Sequence, residues 1–264
     1  MKKVLTIAGS DCSGGAGIQA DIKTITAHKL YAMSVITALT AQNTMGVTGV
    51  FEATHEFVRM QIDAVFEDIV PDAVKIGMVS NADIIKTISD RLLYFKAKNI
   101  VVDPVMISTS GSKLLNDNAI DALKTKLLTI ADVITPNIPE AESLCGFPIN
   151  TVEDMQKAAQ QISANLKGSV LIKGGHFTEN SDDLLYENRE FHWFRSPKIS
   201  NPNTHGTGCT LSSAIACNLA QGYDIKTSIQ NAKTYIIGAL KDGLDLGKGS
   251  GPLNHCYNLT INAI

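Results

Sequence analysis

The 264-residue sequence lacks the marks of several large protein classes. Its five cysteines are an odd number with no Cys-x-x-Cys pair. That argues against a disulfide framework or a thiolate zinc site and for reduced thiols in a cytoplasmic protein, which makes the Asn258-Leu259-Thr260 sequon a chance match. Neither sign of charge dominates: 23 Lys and Arg against 26 Asp and Glu give −3, spread along the chain. No basic face is offered to nucleic acid or anionic lipid. No apolar run approaches the ~20 residues of a membrane helix. Lys2-Lys3 followed by Val4-Leu5-Thr6-Ile7-Ala8 opens like a signal peptide, but Gly9-Ser10-Asp11 cuts the run short. There is no G-x-x-x-x-G-K-[ST] loop and no G-x-G-x-x-G after the first apolar run, so neither a P-loop nor the usual dinucleotide cradle is present. Linkers, repeats and low-complexity tracts are also missing, so residues 1–264 read as one domain.

What is there is ordinary globular material, 44% hydrophobic and 19% charged. A chain this long buries roughly 75% of the surface its unfolded form exposes and needs no staple. Short Val- and Ile-rich runs alternate with helical patterns, the signature of an α/β fold around a parallel sheet covered on both faces. Strands are expected at Val4–Ala8, Val35–Thr40, Ala73–Ile76, Ile100–Val105, Val133–Thr135 and Val170–Lys173. Between them, Ile18, Ile22 and Ile25, and then Ile84, Ile85, Ile88, Leu92 and Phe95, fall at helical spacing. The polar and aromatic segment Leu184–Arg195 breaks the alternation and reads as an edge hairpin. Its run Phe191-His192-Trp193-Phe194 could equally cover the sheet or bury itself in a homodimer.

The most informative stretch is Asn203-Thr204-His205-Gly206-Thr207-Gly208-Cys209, a glycine turn running straight into a helix of small residues. Helix N-termini carry unpaired amides and partial positive charge, and flanking glycines let a ligand approach the backbone, so this is an anion site. Taken alone it is also a plain left-handed turn with a Thr cap. Cys209 in the first turn favours the stronger reading, because positive potential there should favour a thiolate and place a base beside the anion.

Other polar groups follow the strands: Gly9 to Gly17 after the first, Gln42-Asn43, Gly77-Met78, Asp103, Asn137 with Glu140, and Lys173-Gly174-Gly175-His176. The carboxyl ends of parallel strands are where ligands bind in such sheets. Each group has a bland reading as a turn cap, a first-turn helix charge or a solvated strand end. Together they supply carboxylates for Mg²⁺, a cation for phosphate and a planar amide for a heterocycle, the parts a phosphoryl transferase needs.

With Thr135-Pro136-Asn137-Ile138-Pro139-Glu140-Ala141 and the opening Leu5-Thr6-Ile7-Ala8-Gly9-Ser10-Asp11, these motifs resemble, in order and over essentially the whole chain, the ribokinase-type superfamily. Within it they are most similar to the hydroxymethylpyrimidine and phosphomethylpyrimidine kinases of thiamine biosynthesis. The resemblance implies a ribokinase-like, mostly parallel sheet with helices on both faces, and ATP and Mg²⁺ as cofactors. It implies two successive phosphorylations of an aminopyrimidine, without nucleic-acid or membrane partners. The amides of Gly206, Thr207, Gly208 and Cys209 would hold the transferring group, with Cys209 as base. Glu140 and Asp103 would serve Mg²⁺, and Lys173, Thr204, Asn137 and, as a candidate, Lys233 the nucleotide. Gln42 would read the ring nitrogen and 4-amino group, with Gly9, Asp21 and Met78 completing the pocket. Pyridoxal kinase, which shares the cysteine turn, is the neighbouring alternative, and a binding-only sensor for a vitamin precursor is the alternative of another class. Loops near Gly14–Gly17 and Lys113 are where closure over substrate is looked for.

Overall fold

The computed structural model describes residues 1–106, 115, 117–175, 182–196 and 199–259; Lys113 and His176 lie outside them. Strands β1 (Lys3–Asp11), β2 (Tyr31–Asn43), β3 (Gly46–Glu52), β4 (Ala73–Ile76), β5 (Ile100–Val102), β6 (Val133–Ile134), β7 (Ser169–Ile172), β8 (Asp183–Glu187) and β9 (Glu190–Phe194) form one sheet among the described residues. Its order is β3-β2-β1-β4-β5-β6-β7-β8-β9. β2, β1, β4, β5, β6 and β7 are parallel, while β3 and the β8–β9 hairpin run antiparallel at the two edges.

Alternate strand residues divide between two cores, as the pleat requires. Leu5, Ile7, Val74, Ile76, Val102, Ile134 and Val170 face α2 (His55–Asp68), α3 (Ala82–Tyr94), α4 (Asp117–Ala122), α5 (Ile138–Cys145) and α6 (Val152–Ser163). Val4, Ala73, Val101, Val133 and Leu171 face α1 (Gly17–Ala27), α7 (Thr207–Ala220) and α8 (Ile225–Lys241). β4 has the expected limits, and the others lie within a few residues of theirs. The fourth expected run, Ile100–Val105, stops at Val102 as β5 because Pro104, just beyond it, has no N–H for a ladder. β3 was not expected: half-buried or exposed at every position and interrupted by Gly49, it carries no inward-facing apolar stripe.

The β8–β9 turn places Asn188 and Arg189 at φ 51° and 67°, the twist that suits a two-residue hairpin. Phe194 is buried, and Phe191 and Trp193 pack against the core. These aromatics therefore cover the sheet rather than forming a surface patch. Leu39, Val50, Phe51 and Met60, large apolar side chains that are exposed, lie around the β2–β3 edge and α2.

Candidate active site

The carboxyl ends of β1, β2, β4, β5, β6 and β7 open into a cavity of about 650 Å³. Gly9, Gln42, Met78, Asp103, Asn137 and Lys173 line it from the sheet. Glu140 lines it from α5, Thr204, Gly206, Thr207, Gly208 and Cys209 from the turn into α7, and Lys233 from α8. Asp21 does not reach it. The inner face of α1 turns Asp21 down onto the sheet, where it accepts hydrogen bonds from Lys75 Nζ (2.9 and 2.8 Å), Thr6 Oγ1 (2.5 Å) and Ser213 Oγ (2.7 Å). Its expected substrate contact is therefore replaced by a fully buried ion pair with Lys75.

The turn is built by close approach. Gly206 caps α7 at φ 82°, and a Cβ there would collide with the Gly15 carbonyl. Thr207 N–H donates to Thr204 O at 3.2 Å. This engages one of the four amides expected to meet an anion and leaves Gly208 and Cys209, second and third in the helix, without helical acceptors. A Cβ on Gly208 would lie 3.1 Å from Asp103 Oδ2 and 3.4 Å from Lys173 Nζ, so those side chains flank the turn.

Lys173 Nζ donates to Asp103 Oδ1 at 2.7 Å, and Thr135 Oγ1 donates to the same oxygen at 3.1 Å. Asn137 and Glu140 form a capping box at the start of α5: Asn137 Oδ1 accepts from Glu140 N at 2.9 Å and Glu140 Oε2 from Asn137 N at 2.8 Å. The bland reading of this pair thus holds alongside its place on the cavity wall. Burial pushes the Glu140 carboxyl up to about 7, with Lys173 pulling it down and Asp103 pushing it further up. Beyond this cluster Lys233 Nζ donates to Asp183 Oδ2 at 2.6 Å, and Ile236, Ile237 and Leu240 of α8 give the far end an apolar wall.

Cys209 is half-buried, and its thiol is pushed up to about 11 by burial. Lys75 lowers it, while Asp21 and Asp103 raise it. The expected thiolate is therefore corrected to a thiol: desolvation outweighs the field of the helix terminus. At the other end of the cavity Gln42 is held at several points. Its backbone N–H and carbonyl face Cys12 Sγ at 3.3 and 3.1 Å, and its amide lies between His205 and Thr40. His205 Nε2 in turn pairs with Asp11 Oδ2 at 2.8 Å. Burial would raise Asp11, but hydrogen bonds from His205, Ser13 and Ala16 hold its carboxyl well below the usual carboxylate range.

The sequence matches the phosphomethylpyrimidine kinase family over residues 11–254. The chain belongs to this family. It is 48% identical over 253 residues to the thiamine biosynthesis bifunctional protein ThiED of Geobacter sulfurreducens, a match covering 96% of the chain and 52% of that longer protein. It is 45% identical to the hydroxymethylpyrimidine/phosphomethylpyrimidine kinase of Streptomyces coelicolor, covering 97% and 95% of the two chains. The solved ADP complex of Bacillus subtilis pyridoxal kinase superposes with a TM-score of 0.89 at 38% identity, covering 97% of each chain. The ribokinase-like fold expected from the sequence is thus the fold of the family's structural neighbours. Lys75, Asp11 and His205 were not singled out by the sequence reading. The signal for Lys75 was a lone cation inside the apolar strand Ala73–Ile76, because a charge buried there needs a carboxylate.

Proposed function

We propose that the protein transfers the γ-phosphoryl group of ATP to the 5-hydroxymethyl oxygen of 4-amino-5-hydroxymethyl-2-methylpyrimidine, and then phosphorylates the monophosphate to the pyrophosphate. The observation that carries this reading is that Gln42, Cys209 and the Asp103–Lys173–Glu140 cluster line one cavity. Gln42 offers a donor and an acceptor to a ring nitrogen and its 4-amino neighbour. The amides of Gly208 and Cys209 and the Lys173 ammonium face the developing phosphate charge, and Cys209 Sγ, once it has lost its own proton to solvent, takes the hydroxyl proton. The wall of Ile236, Ile237 and Leu240 suits the apolar faces of adenine, and no helix among the described residues is long and apolar enough to cross a membrane.

Mg²⁺ suits this donor set. Asp103 and Glu140 are hard oxygen ligands, and burial beside another carboxylate keeps Glu140 reluctant to ionise until a cation is near. No group of three such side chains that could form an all-protein cage occurs among the described residues, which matches an ion held by one or two carboxylates and the nucleotide phosphates. Bound there, Mg²⁺ neutralises phosphate charge. Protons and Mg²⁺ then compete for Glu140, so the Mg²⁺ concentration for half-maximal rate should rise roughly tenfold per pH unit below about 7 and flatten in Glu140→Gln. Mg²⁺ titrations at pH 6, 7 and 8 read this. In the free protein the sign is set by linkage. The folded chain keeps a proton that the unfolded chain loses near 4.5, so this contribution to stability is full below 4.5 and lost as pH rises through about 7.

Phosphorylation of pyridoxal is the second reading, favoured by the superposition on pyridoxal kinase. Incubation with ATP, Mg²⁺ and either acceptor, followed by mass spectrometry of the products, separates the two and also rules on the binding-only alternative. Gln42→Leu should weaken aminopyrimidine binding by about 1–3 kcal/mol and leave the KM for ATP nearly unchanged. Unaltered pyrimidine affinity in that variant would remove the substrate assignment.

A further inference from the structure

The amide of Gln42 can turn over about its last bond, and a carboxamide free to do so recognises two opposite hydrogen-bonding patterns equally well. We propose that Asp11, His205 and Thr40 lock the Gln42 amide in one orientation and thereby make the pocket reject the 4-oxo counterpart of the aminopyrimidine. The inference rests on the reading of Gln42 as the group that meets the heterocycle.

The lock follows from counting donors and acceptors. Asp11 Oδ1 accepts from the amide and hydroxyl of Ser13, and Oδ2 accepts from the amides of Gly15 and Ala16. Asp11 is therefore an ionised, acceptor-only group. His205 Nε2 lies 2.8 Å from Oδ2, so that nitrogen must carry the imidazole proton. The same nitrogen lies 3.3 Å from Gln42 Nε2 in the structure, an assignment that a half-turn of the amide exchanges for Oε1. With the amide nitrogen on that side two donors would meet. With Oε1 there, the His205 N–H is shared between two acceptors.

The other end of the amide settles the matter independently. That end, Oε1 in the structure, lies 3.1 Å from Thr40 Oγ1, whose single proton also has the Ser10 carbonyl as acceptor at 2.9 Å. If Oε1 faced Thr40, two oxygens would compete for one proton. If Nε2 faces Thr40, it donates to the hydroxyl, the hydroxyl donates to Ser10, and every group is matched. Both flanks thus choose the amide turned over from its placement in the structure, with Oε1 toward His205 and Nε2 toward Thr40. The reciprocal contacts of Cys12 Sγ with the Gln42 backbone hold the residue in place while they do so.

In that orientation each flanking bond takes one lone pair of Oε1 or one hydrogen of Nε2 and leaves the other for a ligand. The front edge still presents one acceptor on the His205 side and one donor on the Thr40 side. A 4-amino group and its ring nitrogen match that edge. A 4-oxo group and its ring N–H present the reverse and could pair only with the turned amide, which the flanks oppose. His205 is thus a positioning residue that acts on specificity through Gln42.

The experiment compares kcat/KM for ATP-dependent phosphorylation of 4-amino-5-hydroxymethyl-2-methylpyrimidine and its 4-oxo counterpart in wild type, His205→Phe, His205→Gln and Thr40→Val. Wild type should prefer the amino compound by about 100-fold or more. His205→Phe should cut the ratio below about tenfold, through KM for the pyrimidine and not KM for ATP. His205→Gln, whose amide nitrogen has one proton for Asp11 and one for Gln42, should restore most of it. Thr40→Val removes the other flank and should erode the ratio in the same way, which keeps the test decisive if His205→Phe fails to fold. The ¹⁵N chemical shifts of wild-type His205 should report protonation at Nε2. A wild type that uses both compounds equally, a ratio unchanged in His205→Phe or Thr40→Val, or a His205 proton found on Nδ1 alone would overturn the lock while the kinase reading stands. A wild type that phosphorylates neither pyrimidine would overturn that reading and the lock with it.

Discussion

Replacing Cys209 by Ala should slow phosphorylation of the hydroxymethyl oxygen by about 10² to 10⁴, the usual worth of a positioned general base. The second step should lose much less. Its acceptor is a phosphate oxygen that is already anionic near neutral pH, so no proton need leave as the new bond forms. Separate single-turnover rates for the two steps in wild type and Cys209→Ala check this. Equal losses would mean that the sulfur serves only geometry. A second measurement bears on the same atom. Because burial pushes the free thiol up to about 11, alkylation by iodoacetamide should be slow at pH 7 and should quicken about tenfold per pH unit up to that value, since the thiolate is the reactive form. Rapid alkylation at pH 7 would restore the thiolate that the glycine turn alone suggested.

A raised thiol pKa and a role as base are compatible. The sulfur must lose its own proton to solvent before it can take the hydroxyl's, so only the thiolate fraction acts as base and the free protein holds little of it near pH 7; in return, a thiolate of high proton affinity accepts that proton readily. The groups around Cys209 set that balance. Lys75 and the Gly17 amide at the start of α1 favour the thiolate, while Asp21 and Asp103 oppose it. The sequence places Cys209 on the first turn of a helix, but no local pattern reveals what the far ends of β4 and α1 bring beneath it.

That contrast describes what was legible and what was not. The central strands could be read because residues buried on both faces leave uninterrupted apolar runs, as in Ile100–Val102. β3 could not, because an exposed edge strand with a central glycine has neither a run nor an alternation. Strand exits are local features, so Gln42, Asp103, Asn137 and Lys173 could be placed at one edge of the sheet from topology alone. Asp21 was misassigned because helical spacing gives the face of a residue but not its depth. It sits on the inner face of α1, and the inner face meets Lys75 rather than the cavity. His205 was hidden inside the glycine motif, since its partners Asp11 and Gln42 lie 194 and 163 residues away.

The buried pair itself carries the second large effect. Lys75 is fully buried, and both of its partner oxygens belong to Asp21. Asp21 is also bonded to Thr6 of β1 and Ser213 of α7, so one carboxylate joins α1, two neighbouring strands and α7 one turn beyond Cys209. Lys75→Met strands a carboxylate in the core. It should cost about 3–5 kcal/mol of stability, measured by urea or guanidinium unfolding. That is a large share of the 5–15 kcal/mol typical of a folded protein. Asp21→Asn should be comparably costly, because it leaves the Lys75 charge uncompensated. The double variant Lys75→Met/Asp21→Asn removes both charges while an amide oxygen still accepts from Ser213, so its loss should fall well short of the sum. Additive losses would show that the two side chains are stabilised separately, through their surroundings and not through each other. If the double variant folds, its Cys209 should alkylate with a pH profile displaced from that of wild type, since the nearest cation and one of the two carboxylates that act on the thiol are then both neutral.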